Sequence, residues 1–157
     1  NWRHRCDLPG CFFWKMDFGE DNTIYGTLLG CKVSFIAYPF FIPREDYIKY
    51  GFVNILKPKD IAVMKVIAVS QRGKKRDFYD LFWIAKNLEP LIDIIKRLKD
   101  QYPSVVHDYN HILKSLVYFE DAESDPQPMI NFKADWKEVK DFFDKEIKEI
   151  TKSLINI

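Results

Sequence analysis

Cysteine is scarce in this sequence, with three residues, Cys6, Cys11 and Cys31, among 157. An odd number cannot pair completely within one chain. That excludes a self-contained disulfide framework and leads us to expect a reducing compartment, the cytoplasm. His4, Cys6 and Cys11 resemble the opening of a metal site, but no fourth ligand at clear spacing follows, so reduced thiols are expected and no metal ligand is assigned. Long apolar runs are missing too. None reaches the roughly 18 residues that a membrane span needs. The start, Asn1-Trp-Arg-His-Arg-Cys, has no signal-peptide layout and no Met at position 1, which fits a fragment of a longer protein. No charge sign dominates: the formal net charge is +1, so any phosphate binding has to come from a local cluster. What the chain has is apolar mass, 47% of residues with 16% aromatic, ample for a core.

The pattern along the chain is α+β. Residues 1–22 are broken by Pro9-Gly10 and Gly19 and are expected to be irregular, with a short helix or strand around Cys11 to Met16. Thr23-Ile-Tyr-Gly-Thr-Leu-Leu and Cys31-Lys-Val-Ser-Phe-Ile-Ala-Tyr38 predict two strands around a turn near Gly30, ended by Pro39 and Pro43. Gly51-Phe-Val-Asn-Ile-Leu predicts one more short strand. After Pro58 the periodicity is helical, with helices expected over 59–71, 76–87, 90–101, 105–118 and 135–155. Pro90 and Pro103 punctuate them. Asp135 and Glu138 have capping-box spacing, and Trp136, Val139, Phe143, Ile147, Ile150 and Leu154 form the buried stripe of the last helix. Phe119 to Pro128 is expected to be an acidic, proline-closed loop, a solvated turn rather than a cation site.

Two helices each carry a charge where none is expected. Lys65 is the lone charge within Ile61 to Val69. Asp80 lies inside Phe78-Tyr-Asp80-Leu-Phe-Trp-Ile-Ala85, three residues after Asp77 and on a neighbouring part of the same face. A bare ammonium in apolar surroundings is costly and needs a partner or a route to water. Lys65 is therefore either a snorkelling or paired structural lysine, or one held in a cleft to meet a phosphate or a carboxylate. Opposite signs in consecutive helices predict a Lys65–Asp80 pair across the hairpin, with both side chains at least partly buried. Between the helices, Arg72-Gly-Lys-Lys-Arg76 leads into a helix start. It reads as a phosphate site at Arg72, Lys75 and Arg76, or as an ordinary turn whose cations face water or the acidic loop at Glu120 to Asp125. A nucleic-acid patch ranks lower. Asp60, before an apolar helix, reads as a cap.

In order, Gly30-Cys-Lys-Val-Ser-Phe-Ile-Ala-Tyr-Pro39, Asp60-x4-Lys65, Arg72-Gly-Lys-Lys-Arg-Asp77-Phe-Tyr-Asp80-Leu81, Tyr118-Phe-Glu-Asp-Ala-Glu123 with Pro126 and Pro128, and Trp136 with Val139-Lys140 resemble the AbiEii/AbiGii toxin family. The resemblance runs from about Thr23 to about Phe143. It implies a nucleotidyltransferase core with a helical C-terminal part: a partial β core over 1–57 and a helical domain over 58–157. It implies a toxin of a bacterial toxin–antitoxin or abortive-infection (phage-defence) system that transfers a nucleotide from an NTP with Mg²⁺. The partners implied are a cognate antitoxin, the NTP, and an RNA or protein acceptor. Lys65 and Asp80 are the implied catalytic residues, with Asp60 and Asp77 supporting.

The family also opens with a glycine-rich helix start and an Asp-x-Asp strand that holds the metal. Asp17 and Glu20-Asp21 lack that context, and Ser34 stands where many nucleotidyltransferases place a third carboxylate. The metal-binding half is thus expected to be missing, as in a fragment or a truncated relative. This chain alone is expected to show no turnover while keeping weak NTP affinity. The alternative is a non-catalytic interaction module that binds an antitoxin or another partner.

Overall fold

The computed structural model describes residues 14–155, with side chains through residue 153. His4, Cys6, Cys11 and the Leu154 side chain lie outside the described residues. The fold is α+β. The chain divides into two compact units, residues 1–39 and 40–157.

The first unit is an antiparallel meander of β1 (Trp14–Glu20), β2 (Thr23–Leu28) and β3 (Cys31–Ile36). Residues 14–20, expected to be largely irregular, pair with β2 from Trp14↔Leu28 to Glu20↔Thr23, with a bulge between Met16 and Phe18. The β2–β3 turn places Leu29 (φ 52°) and Gly30 (φ 82°) in the left-handed region, as a two-residue type I′ hairpin requires. Trp14 lies across Gly26, where a Cβ would come within 2.4 Å of the indole, and meets Phe35 edge to face at 5.6 Å. This explains a glycine inside a strand.

The second unit comprises residues 40–157. It opens with a hairpin of β4 (Ile48–Tyr50) and β5 (Val53–Ile55) turning at Gly51 (φ 57°), so the expected single strand is half of a pair. Then come α1 (Pro58–Arg72), α2 (Lys75–Asn87), α3 (Leu91–Lys96), α4 (Leu98–Gln101), α5 (Tyr109–Ser115), α6 (Glu120–Glu123) and α7 (Trp136–Ile155). Pro58 suits the first turn of α1, and Gly73 ends it in the left-handed conformation with its N–H bonded to Val69 O. The core joins Val63, Val66 and Val69 of α1, Phe78, Leu81 and Ile84 of α2, Leu91, Ile94 and Leu98 of α3–α4, and Val139, Phe143, Ile147 and Ile150 of α7. Phe78 is its aromatic centre, with ring centroids 5.4 Å from Phe119, 5.7 Å from Trp136 and 5.4 Å from Phe143.

Several expected boundaries shift for local reasons. Helix 90–101 breaks at Arg97, whose guanidinium is drawn to Asp60 at 2.7 Å and Glu89 at 2.9 Å. Helix 105–118 shortens to α5, because Asp108 caps it by accepting from His111 N–H. The acidic loop contains the short helix α6. At α7, Asp135 accepts from Glu138 N–H at 2.7 Å, as the spacing predicts, while the Glu138 carboxylate turns to Lys86 at 3.0 Å.

Candidate functional site

The hairpin of α1 and α2 brings four charged side chains together. Lys65 Nζ lies 2.8 Å from Asp77 Oδ1 and 2.6 Å from Asp80 Oδ2. Arg72, at the last turn of α1, grips Asp77 with Nε at 2.9 Å from Oδ2 and Nη2 at 3.2 Å from Oδ1. Helical geometry explains the roles. Asp77, Leu81 and Ile84 are spaced i, i+4, i+7 and all are buried, so Asp77 belongs to the core face of α2. Asp80 falls on the adjoining stripe, and its side chain is 51% exposed against 0% for Asp77. The expected Lys65–Asp80 pair therefore forms, but Asp80 is half-exposed, and the deeply buried partner of Lys65 is Asp77.

The electrostatics follow from this packing. Burial alone would push the Asp77 carboxyl up, but hydrogen bonds from Arg72 and Lys65 together with their charges outweigh it, and the group is held below the usual carboxylate range. Burial alone would lower Lys65. The hydrogen bonds and charges of Asp77 and Asp80 prevail, and its ammonium is held above the usual lysine value. The site is thus a cation-braced carboxylate pair: Asp77 inside, Lys65 between, Asp80 and Arg72 at the surface. It can present an ammonium and a guanidinium to an anion, beside a carboxylate able to accept a hydrogen bond from a hydroxyl.

This constellation lies within a longer match. Residues 32–151 match the family described as nucleotidyl transferase AbiEii toxin, Type IV TA system. The chain belongs to the AbiEii family. It is also 40% identical over 135 residues to an uncharacterized protein of Aquifex aeolicus (strain VF5), an alignment covering 84% of this chain and 63% of that protein. The chain thus spans less than two thirds of the length of that relative. No solved structure matches it.

Within this AbiEii chain the other expected site residues are distributed unevenly. Lys75 is not brought to the Lys65 cluster. It falls on the apolar stripe with Phe78, Tyr79 and Phe82, is buried, and its Nζ donates to Asp125 O at 2.8 Å and Glu123 O at 3.3 Å, 5.3 Å from the centre of the Trp136 ring. Its backbone N–H donates to Asp125 Oδ2 at 2.9 Å, so the protein's own carboxylate caps the start of α2, where a phosphate was expected. Lys74 also pairs with Asp125, at 3.1 Å. Arg76 points away from the core and is exposed.

Asp60 is not a helix cap. It is fully buried and accepts from Arg44 N–H, Glu45 N–H, Arg97 Nη2 and Gln101 Nε2, tying residues 44–45 to α1, α3 and α4. Sequence reading missed Arg97, while the acidic loop ending at Asp125 was the alternative partner for the cations of the turn, and Lys74 and Lys75 do meet it there. Lys75 on an apolar stripe was the available signal that a partner outside α2 had to exist.

Mg²⁺ is the metal that family resemblance implies. Among the described residues, no three or more His, Cys, Asp or Glu side chains cluster as a metal site. The charges of Asp77 and Asp80 are met by Lys65 and Arg72. Mg²⁺ asks for open carboxylate oxygens in octahedral array. The described residues do not fit it.

Proposed function

We propose that this chain carries the substrate-phosphate part of a nucleotidyltransferase toxin, which transfers a nucleotide from an NTP to an acceptor hydroxyl. The observation that supports the reading is Lys65, held between a buried and a half-exposed carboxylate across the α1–α2 hairpin. In the proposed step the acceptor oxygen bonds to the α-phosphorus and the bond to the bridging oxygen breaks. Pyrophosphate leaves, and the hydroxyl proton passes toward Asp80. Lys65 offsets the charge on the phosphoryl oxygens, and Arg72 and Arg76 hold the leaving phosphates. Asp77 anchors Lys65 and Arg72 from behind. The half-exposed position of Asp80, rather than any property of Asp77, suits it to contact substrate.

The test is transfer of α-labelled nucleotide by the full-length protein to bacterial RNA and protein pools. Lys65→Met is expected to lower labelling by about a hundredfold or more, the loss expected when a positioned charge at the reacting phosphate is removed. Labelling that is unchanged by this substitution overturns the assignment.

A second reading is that the chain docks an antitoxin protein. It is favoured by the β4–β5 hairpin, where Ile48 pairs with Ile55 and Tyr50 with Val53 on one face. All four are exposed, and Lys49 with Asn54 occupies the other face. Tyr50→Asp should then abolish co-purification with the cognate antitoxin, and retention of the complex removes this reading.

A further inference from the structure

One stripe of α2 faces solvent in a chemically ordered row. Arg76, Asp80, Trp83 and Asn87 are spaced i, i+4, i+7, i+11 and so share one face, over about 16 Å of helix. Arg76 and Asn87 are exposed, Asp80 is half-exposed and Trp83 is half-buried. At the C-terminal end of the row a groove of about 250 Å³ opens, lined by Trp83 and Asn87 and closed across from them by Phe132 and Lys133. Its wall is fixed by Lys86, which donates to Glu138 at 3.0 Å and lies 4.8 Å from the centre of the Phe82 ring. Asn87 Nδ2 donates to Trp83 O at 2.7 Å, which orients the amide beside the indole and leaves its Oδ1 for a ligand.

The row thus runs from a cation, past the Lys65–Asp80 pair, to an aromatic slot with an amide at its edge. A ligand that matches it in this order has a polyanionic end and a flat heteroaromatic end. Aromatic side chains stack on the faces of nucleobases, and neighbouring amides read their edges. We propose that the groove at Trp83, Asn87 and Phe132 is the base-binding subsite for the donor nucleotide, with Trp83 the stacking residue and Asn87 the base-edge residue. This inference rests on the proposed nucleotide function and adds which residues hold the end of the substrate that does not react. It makes no use of the Lys75 backbone N–H at the start of α2, which Asp125 occupies.

The experiment is calorimetric titration of the full-length protein with ATP, CTP, GTP and UTP, and separately with inorganic tripolyphosphate, which has the anionic end and no base. Unmodified protein should bind its preferred NTP about tenfold tighter than tripolyphosphate, the gain expected from one stacked base. Trp83→Leu should bring NTP affinity down to the tripolyphosphate value and leave tripolyphosphate unchanged, and Trp83→Phe should restore most of the gain. Because Trp83 is half-buried, the exposed Asn87→Ala variant serves as the independent check and should alter the ranking of the four NTPs. Equal binding of NTP and tripolyphosphate by unmodified protein overturns the subsite. So does Trp83→Leu weakening both ligands alike or neither, or Asn87→Ala leaving the ranking intact. Failure of tripolyphosphate to bind at all instead overturns the phosphate reading on which the subsite rests.

Discussion

Asp77 and Asp80 differ by three positions in sequence and by most of their exposure, and the difference divides their tasks. Removing the charge of Asp77 leaves half-exposed Arg72 without its carboxylate and Lys65 with Asp80 alone, and weakens three hydrogen bonds at a fully buried side chain. Asp77→Asn is therefore expected to cost about 2–3 kcal/mol of unfolding free energy. Asp80→Asn removes a half-exposed partner from a lysine that keeps Asp77, and is expected to cost at most about 1 kcal/mol. Urea denaturation of the two variants checks the order, and an equal or larger loss for Asp80→Asn contradicts it. The pH dependence has a definite sign. Asp77 is held below its ordinary range, so its contribution is present above the ordinary carboxylate pKa and is lost as pH falls through the depressed value. Lys65 is held above its ordinary value, so its contribution is full below that value and is lost only as strongly alkaline pH passes the raised one. The stability gap between unmodified protein and Asp77→Asn should be widest between these limits and should narrow in acid. A gap that widens in acid would show the reverse shift.

At the scale of elements, much was legible. The hydrophobic period of α1, α2 and α7 and the strand pair around Gly30 follow from local pattern, and the opposite charges in consecutive helices foretold their meeting. What escaped was decided by contacts distant in sequence. Whether Lys75 meets solvent or core depends on Asp125, fifty residues on. Whether Asp60 caps a helix or anchors a loop depends on Arg97 and Gln101. Whether residues 90–101 form one helix depends on the same Arg97. Periodicity within α2, applied residue by residue, would have separated buried Asp77 from half-exposed Asp80 and buried Lys75 from exposed Arg76. The cap itself is testable. Asp125 is held below its usual range, chiefly by the Lys75 backbone N–H and the Lys74 side chain. Asp125→Ala should speed amide hydrogen exchange at Lys75 and leave the core of α7 unaffected. Unchanged exchange at Lys75 would show that Asp125 does not hold the start of α2.

At the scale of the molecule, an aromatic helical core supports one surface where charge, carboxylate and indole follow each other along α2. Among the described residues, no helix is long and apolar enough to cross a membrane. In the proposed function Asp80 meets substrate while Asp77 only braces the site. The most direct measurement is nucleotide transfer and thermal midpoint recorded on the same preparations of full-length Asp80→Asn and unmodified protein. The expected result is a midpoint close to that of unmodified protein and transfer lowered by about a hundredfold or more, as removal of a positioned proton acceptor entails. Transfer within about twofold of the unmodified rate, with fold intact, would contradict it.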